Sequence, residues 1–80
     1  MRMKSDETDY QPISCMQHER LEFAVLRRIP LKLRLANGDA LKGLALDVYT
    51  QAGAEWLKFR DTAGTERVIR LDQIEHFSEA

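Results

Sequence analysis

One cysteine and two histidines are the residues of this 80-residue chain whose side chains could support covalent or metal chemistry. A nucleophilic centre needs a cysteine or serine beside a histidine and an acid, and a metal centre needs histidine and cysteine at ligand spacing. Nothing in the sequence places Cys15 in such a group, and His18 and His76 are far apart and outside any ligand motif. The four glycines are isolated from one another, which excludes a glycine-rich phosphate loop. We therefore expect no enzyme activity, no metal site and no cofactor.

The single cysteine also bears on where the protein works. Cys15 cannot form an internal disulfide, so nothing calls for an oxidising compartment. The N-terminal residues lack the apolar segment of a signal peptide, and no apolar run approaches the roughly 18 residues that span a membrane. We expect a cytoplasmic protein with no membrane partner. Cys15 falls at a predicted helix start, where a thiolate can be activated, but we favour a small residue that packs or contacts a partner.

Charge is unevenly distributed along the chain. The formal net charge is −1 and the pI is about 6.1, whereas a dedicated nucleic-acid binder usually carries a strong basic excess. The stretch from Ser5 to Leu26 contains five acids and one base, Arg20, and so carries a charge of −4. The acids are Asp6, Glu7, Asp9, Glu19 and Glu22. This acidic stretch is either a solvated helix face that follows a flexible tail, or an acidic surface that binds a basic partner.

Two further features could form binding surfaces on predicted strands. Six basic residues on the predicted strands could form a basic stripe. The acids interspersed among them favour the alternative, in which these are ordinary outward-facing charged side chains. These residues are Lys32, Arg34, Lys58, Arg60, Arg67 and Arg70. Trp56 alternates with Leu57 and Phe59 and should face outward, where it is either a binding contact or a cover for part of the sheet.

A single helix must position the acidic segment. Ser14 is a good helix N-cap, and Gln17 follows at capping-box spacing. Apolar residues then recur at intervals that form one stripe, which is typical of an amphipathic helix. The stripe consists of Leu21, Ala24 and Val25. Pro30 must stop the helix, so the pattern predicts a helix from about Cys15 to Arg28.

The pattern changes to alternation after the helix. Leu31, Leu33 and Leu35 predict a half-buried strand, and Asn37-Gly38 then predicts a hairpin with a type I′ turn. The second strand should run from about Ala40 to Tyr49, with a change of phase at Lys42-Gly43 that indicates a bulge or bend. Its predicted inward residues are Leu44, Leu46 and Val48.

Three short segments complete the predicted sheet. A third strand should span 55–60 with Leu57 and Phe59 inward, a fourth should span 66–71, and a last should span 74–77 after one helical turn. The chain is therefore expected to be mainly β with one N-terminal helix, as a small five-stranded antiparallel barrel of the Sm-like or SH3-like kind. We expect a flexible tail at 1–9 and one domain at 10–80, with its strands at about 31–77.

Four stretches of the sequence resemble one family, the Rho-binding antiterminators (Rof). The opening Tyr10-Gln11-Pro12-Ile13-Ser14-Cys15 is the most specific, and the segment Arg20-Leu21-Glu22-Phe23-Ala24 follows it. Residues 31–38 resemble that family's first hairpin, and residues 66–74 resemble its closing segment. The resemblance extends from about Tyr10 to Ser78.

The resemblance implies a bacterial regulator with an Sm-like barrel and a leading helix. Such a protein binds the N-terminal RNA-binding domain of the termination factor Rho, blocks its primary RNA site and inhibits Rho-dependent termination. It implies a monomer when free, with Rho as partner and without direct nucleic-acid binding. The residues that we expect to contact the partner are Tyr10, Pro12, Ser14, Cys15, His18, Glu19 and Glu22. Met16, Gln17 and His18 occupy the positions after the cysteine where the resemblance implies acids, which indicates either weaker binding or a partner Rho whose site relies less on charge.

Two other functions remain open. An Sm-like RNA-binding module would need a surface able to stack bases, for which Trp56, Tyr49 and the strand arginines are the candidates. Such modules usually act as rings. The same fold could also serve a different protein partner, because fold alone does not assign function.

Overall fold

The computed structural model describes residues 12–80, so the predicted tail and Tyr10 lie outside the described residues. These residues form one helix and five antiparallel strands in a single sheet with the order β4-β3-β2-β1-β5. The predicted fold class, mainly β with one N-terminal helix, is confirmed. The elements are α1 (Cys15–Arg27), β1 (Pro30–Leu35), β2 (Ala40–Gln51), β3 (Ala54–Asp61), β4 (Glu66–Arg70), a 3-10 turn (Leu71–Gln73) and β5 (Ile74–Glu79).

Both ends of α1 are set by local chemistry. Ser14 is the N-cap, and its hydroxyl accepts a hydrogen bond from the Gln17 backbone N–H at 3.1 Å. At the other end Arg28 adopts a left-handed conformation with φ 56°, and Ile29 donates its N–H to the Ala24 carbonyl at 3.0 Å. Because Arg28 is the C-cap, the helix ends one residue earlier than predicted.

The helix and one face of the sheet enclose the core, and we call this side of the sheet the inner face. Leu21 and Ala24 of α1 are buried in the same cluster as the strand residues. The alternation predicted for β1 and β3 is confirmed. The buried strand residues include Leu31, Leu33, Leu57, Phe59 and Ile69.

The inward residues of β2 differ from the prediction. Ala45 is 3% exposed and pairs with Phe59, whereas Leu44 and Leu46 are half-exposed. The pairing with β3 shifts between Ala45 and Asp47, so an extra residue is accommodated there and Val48 returns to the inner side. The change of phase therefore occurs at this bulge and not at Lys42-Gly43.

Gly43 has a different role from the predicted one. It pairs with Asp61, and a Cβ at this position would collide with the Arg60 carbonyl oxygen and lie 2.7 Å from the Asp61 Cα. The glycine thus permits the backbone of β3 to approach β2 closely.

The turn at Asn37-Gly38 also differs from its prediction. Gly38 has φ 96°, but Asn37 is not among the residues with positive φ, which a type I′ turn requires. Instead Gly38 donates its N–H to the Leu35 carbonyl at 2.9 Å, and Leu35 donates to the Asp39 carbonyl at 2.8 Å. This is a three-residue loop in which a type I turn is followed by a glycine bulge.

The turn with positive φ at both central residues occurs at the next hairpin. Ala52 has φ 56° and Gly53 has φ 77°, between the paired residues Gln51 and Ala54. This is the geometry of a two-residue type I′ turn. Alanine is strained in the left-handed region, so Ala52 did not indicate the type I′ geometry, whereas Gly53 is a common turn residue.

Candidate functional site

The start of α1 and the start of β3 border a shallow cleft of about 510 Å³. We call it the acidic cleft, because three of its residues are glutamates. It is lined by Pro12, Ile13, Cys15, His18, Glu19, Glu22 and Glu55. Five of the seven predicted contact residues therefore line one surface, and Ser14 caps the helix beside them. The role of all seven in binding stays a prediction, and Tyr10 lies outside the described residues.

Helix geometry explains why these side chains share a surface. Cys15, Glu19 and Glu22 are separated by four and three residues, so they lie on one side of α1. The opposite side carries Leu21 and Ala24, which are buried against the sheet. Because the stripe that contains Leu21 and Ala24 is buried, the stripe that contains the glutamates faces solvent.

Among residues 12–80, no lysine or arginine lines the acidic cleft. Arg20, which follows Glu19 in the helix, instead holds its guanidinium carbon 4.7 Å from the centre of the Phe77 ring on β5. This cation–π contact places the guanidinium against β5, outside the lining of the acidic cleft. The negative charge of the cleft is therefore not neutralised by a base in its lining.

His18 connects the glutamates of the acidic cleft. Its Nε2 lies 3.0 Å from Glu55 Oε2, and its Nδ1 lies 3.6 Å from Glu22 Oε2. The imidazole is partly buried, with 25% of its side chain exposed. The contact to Glu55 is the shorter of the two, so Glu55 is the closer acceptor for an imidazole N–H. His18 thus joins the helix to β3.

Sequence reasoning missed Glu55 as a member of this site. It was one of several acids interspersed along the strands, and its closeness to His18 depends on how α1 crosses the sheet. Its position opposite Thr50, on the inner side of the β2–β3 pair, places it under the helix. Alternation with Leu57 and Phe59 gives Glu55 the inward parity, but no local pattern shows that α1 lies above it.

A second missed feature is the apolar surface beside the acids. Met16 and Leu26 expose 71% and 77% of their surface, and Phe23 exposes 51%. A hollow of about 300 Å³ between α1, β1 and β5 includes Met16 and Phe23 in its lining. Exposed apolar side chains next to a charged stripe are typical of protein-binding surfaces.

The structure of residues 12–80 also gives information on metal binding, on the cysteine and on membrane-spanning helices. Within residues 12–80, no group of three or more histidine, cysteine or acidic side chains is placed to hold a metal ion. Cys15 is exposed and unpaired, and His76 lies on β5, away from the acidic cleft. In the same residues, no helix has the length and apolar character needed to cross a bilayer. The arrangement in the cleft can bind a partner through charge and hydrogen bonds.

The outer face of the sheet, opposite the core, carries the other predicted surfaces. Trp56 faces outward as predicted, lies opposite Tyr49, and donates its indole N–H to the Gln51 carbonyl at 2.9 Å. It is half-buried, so it covers part of the sheet.

The six predicted basic residues do not form one stripe. Arg67 pairs with the inward residue Phe59, so it is not on the outer face, and its guanidinium contacts Asp61 at 3.1 Å. Lys58 and Arg60 both contact Glu66, at 3.7 and 3.0 Å. Glu66 therefore offsets part of the positive charge on β3.

A family model and two curated relatives of this chain point to the same family. A family model described as "Modulator of Rho-dependent transcription termination (ROF)" matches residues 12–80. Protein rof of Escherichia coli (strain K12) is 38% identical over 69 residues, which cover 86% of this chain and 81% of that protein. Protein rof of Shigella flexneri matches with the same identity and coverage.

Solved structures agree on the fold. YaeO from Vibrio cholerae O395, a structure described as bound to magnesium, aligns with a TM-score of 0.65 and 23% identity over 75% of this chain and 78% of that one. The pleiotropic translational regulator Hfq aligns with a TM-score of 0.65 and 17% identity over 79% of this chain and 97% of Hfq. At these identities the structures support the Sm-like fold alone. The family match and the 38% identity show that the chain belongs to the family of modulators of Rho-dependent transcription termination.

Proposed function

We propose that this protein binds the N-terminal RNA-binding domain of Rho, blocks its primary RNA site and thereby inhibits Rho-dependent termination, without a catalytic step. The observation that carries the proposal is the acidic cleft. It presents Glu19, Glu22 and Glu55 together, and the described part of the chain contributes no lysine or arginine to its lining. Membership of a family that modulates Rho-dependent termination supplies the partner.

Electrostatic complementarity explains how such a surface would compete with RNA. A protein site for RNA phosphates is basic, because it exchanges counterions for lysine and arginine contacts. An acidic protein face can occupy the same basic site, and opposite charge accelerates the encounter. Added salt should weaken this attraction through screening.

The apolar residues of α1 would supply the uncharged part of the interface. Met16, Phe23 and Leu26 are exposed on the solvent side of the helix that also carries Glu19 and Glu22. Interfaces gain most of their free energy from a few desolvated side chains, whereas charge mainly sets orientation and association rate. The proposed interface therefore combines glutamates with an apolar border.

Two contacts hold the helix in place before binding. The Ser14 hydroxyl caps its first turn, and His18 joins it to Glu55 of β3. A surface that is already ordered loses less conformational entropy on association. Glu55 also adds a third carboxylate to the cleft, which offsets in part the loss of acids at 16–18.

A competition titration tests the proposal. Fluorescent C-rich RNA is bound to the Rho N-terminal domain, and this protein is added at about 50 and about 200 mM salt. We expect RNA displacement that weakens at the higher salt. The variant Glu19→Lys plus Glu22→Lys should abolish displacement, because it reverses charge at the proposed contact.

A matched control separates a local effect from a change in net charge. Asp47→Lys plus Glu75→Lys makes the same charge change on β2 and β5, at exposed positions outside the lining of the acidic cleft and of the hollow beside Met16 and Phe23, and should leave displacement within about threefold of the wild type. An equal loss of RNA displacement in both variants would mean that the net charge of the protein, and not the position of the glutamates, determines binding. Absence of displacement, together with direct RNA binding by a hexameric or heptameric ring of this protein, would overturn the proposal in favour of an Sm-like RNA-binding module.

A further inference from the structure

The outer face of β1, β2 and β5 carries a group of basic side chains that the proposed function does not use. Three cations and a histidine surround a shallow hollow of about 340 Å³, which we call the cationic hollow. Its outward-facing members are Lys32, Arg34, Lys42 and His76. All four are exposed.

Strand register explains how the hollow forms. Lys32 lies between Lys42 on β2 and Ser78 on β5, and one pair further along Arg34 lies between Ala40 and His76. Neighbouring strands are about 4.8 Å apart, and residues two apart on one strand are separated by about 6.6 Å. The small side chains of Ala40 and Ser78 leave space between the larger basic ones.

The charge of this group is not balanced by acids. Within residues 12–80, no carboxylate forms an ion pair with Lys32, Arg34 or Lys42. Lys32 and Lys42 are directly opposite each other, an arrangement of like charges that destabilises a sheet. By contrast, Lys58 and Arg60 on the same face share Glu66. The sheet thus gives one group of outward cations a shared acidic partner and leaves the other group without one among the described residues.

We propose that the cationic hollow binds the phosphate backbone of single-stranded RNA without sequence preference. Three cations at neighbouring positions of two adjacent strands, about 5–8 Å apart, suit a polyanion with regularly spaced charges. A protein partner would also need an apolar centre, and none of the large hydrophobic side chains exposed by residues 12–80 lies on β1, β2 or β5. The hollow also has no aromatic ring other than the His76 imidazole, so base stacking contributes little.

This inference departs from the expectation of no direct nucleic-acid binding and goes beyond the proposed function. The acidic cleft is formed by α1 and the inner side of β3, whereas the cationic hollow is on the outer face of the same sheet. Binding at one surface therefore leaves the other accessible. An RNA strand could be held on the outer face while α1 contacts Rho.

The test measures fluorescence anisotropy of a labelled oligouridylate of about 12 nucleotides, with this protein alone, between about 50 and 200 mM salt. About three phosphate contacts predict a slope of about −2 in log affinity against log salt, which is a loss of about 20-fold over this range. Lys32→Gln plus Lys42→Gln should reduce the slope to about −0.7 and weaken binding at low salt by at least about tenfold.

The matched control is Lys58→Gln plus Arg60→Gln. It removes the same charge from the two outer-face cations that share Glu66. It should change RNA affinity by less than about threefold, and thermal melts should show that both variants fold. Equal weakening by the two variants, or no RNA binding by the wild type, would overturn the proposal. Binding of an oligoglutamate peptide in preference to the RNA would likewise overturn it and indicate an acidic protein ligand. Rho is absent from this assay. A negative result here therefore rejects RNA binding at the cationic hollow and leaves the proposed function, which the competition titration tests, untouched.

Discussion

His18 Nε2 lies 3.0 Å from Glu55 Oε2, so one imidazole connects the first turns of α1 to the start of β3. The same ring is 3.6 Å from Glu22, one helical turn away in α1. The first contact is between elements and partly buried, whereas Glu22 exposes 58% of its side chain. The two contacts should therefore differ in strength.

Double-mutant cycles measure this difference. We expect a coupling free energy of about 0.5–1 kcal/mol between His18→Ala and Glu55→Ala at neutral pH, because that pair is shorter and less exposed. The cycle of His18→Ala with Glu22→Ala should give about 0.3 kcal/mol, as for a helical pair. Chemical denaturation of the variants provides the free energies of unfolding. A coupling to Glu22 as large as that to Glu55 would contradict this assignment.

Ala52 offers a stabilising substitution. It occupies a left-handed position with φ 56° in the type I′ turn, where asparagine is strongly preferred. Ala52→Asn should therefore stabilise the protein by about 0.5–1 kcal/mol and raise Tm by about 3–6 °C. Ala63→Asn is the control, since Ala63 also precedes a turn glycine but has no positive φ. Thermal unfolding should show no comparable gain for that variant.

The parts of the fold that follow local periodicity were predictable from sequence. The Ser14 cap sets the start of α1, and alternation identified Leu31, Leu33, Leu57 and Phe59 as inward. These signals are local, because a helix stripe and a strand face each repeat within a few residues.

Features that depend on contacts between distant segments were not predictable. The phase of β2 is set by the bulge between Ala45 and Asp47, which exists only through pairing with β3. The closeness of Glu55 to His18 depends on where α1 crosses the sheet. The basic residues illustrate the same point. Sequence could not show that Lys58 and Arg60 share Glu66, while Lys32 has no acidic partner within residues 12–80.

Asp61 should make folding stability depend on acidic pH. The Thr65 backbone N–H bonds its carboxylate at 2.9 Å, and together with the Arg67 and Ala63 N–H groups it lowers the pKa of Asp61 below its ordinary value of 3.8. The unfolded chain therefore takes up this proton at higher pH than the folded protein. The stabilisation is complete above about pH 4 and is lost as pH falls from there through the lower folded pKa.

Thermal melts between pH 2 and 6 test this expectation with two variants. Asp61→Asn cannot ionise, so its Tm should be below that of the wild type at pH 6 and should approach it near pH 2. Arg67→Gln should retain most of the wild-type pH dependence, because the Thr65 hydrogen bond is the largest cause of the lowered pKa. An unchanged difference between wild type and Asp61→Asn across this pH range would contradict the prediction.

Leu26 should contribute to partner binding if the proposed function is correct. Its side chain is 77% exposed and follows Glu22 by one helical turn, so it extends the acidic stripe with an apolar contact. Leu26→Ala keeps a good helix former and removes little buried surface, so Tm should change little. Affinity for the Rho N-terminal domain should fall by about tenfold, or about 1.4 kcal/mol, in a calorimetric titration.

Val68→Ala provides the control for this titration. Val68 is also a large exposed hydrophobic residue, at 56%, but it lies on the outer face of β4, opposite Lys58. Its truncation should leave Rho affinity within about twofold of the wild type, because the outer face does not take part in the proposed contact. Equal losses for both variants would show that apolar exposure in general drives association. A loss confined to Val68→Ala would place the partner on the outer face of the sheet and reject α1 as the Rho-binding element.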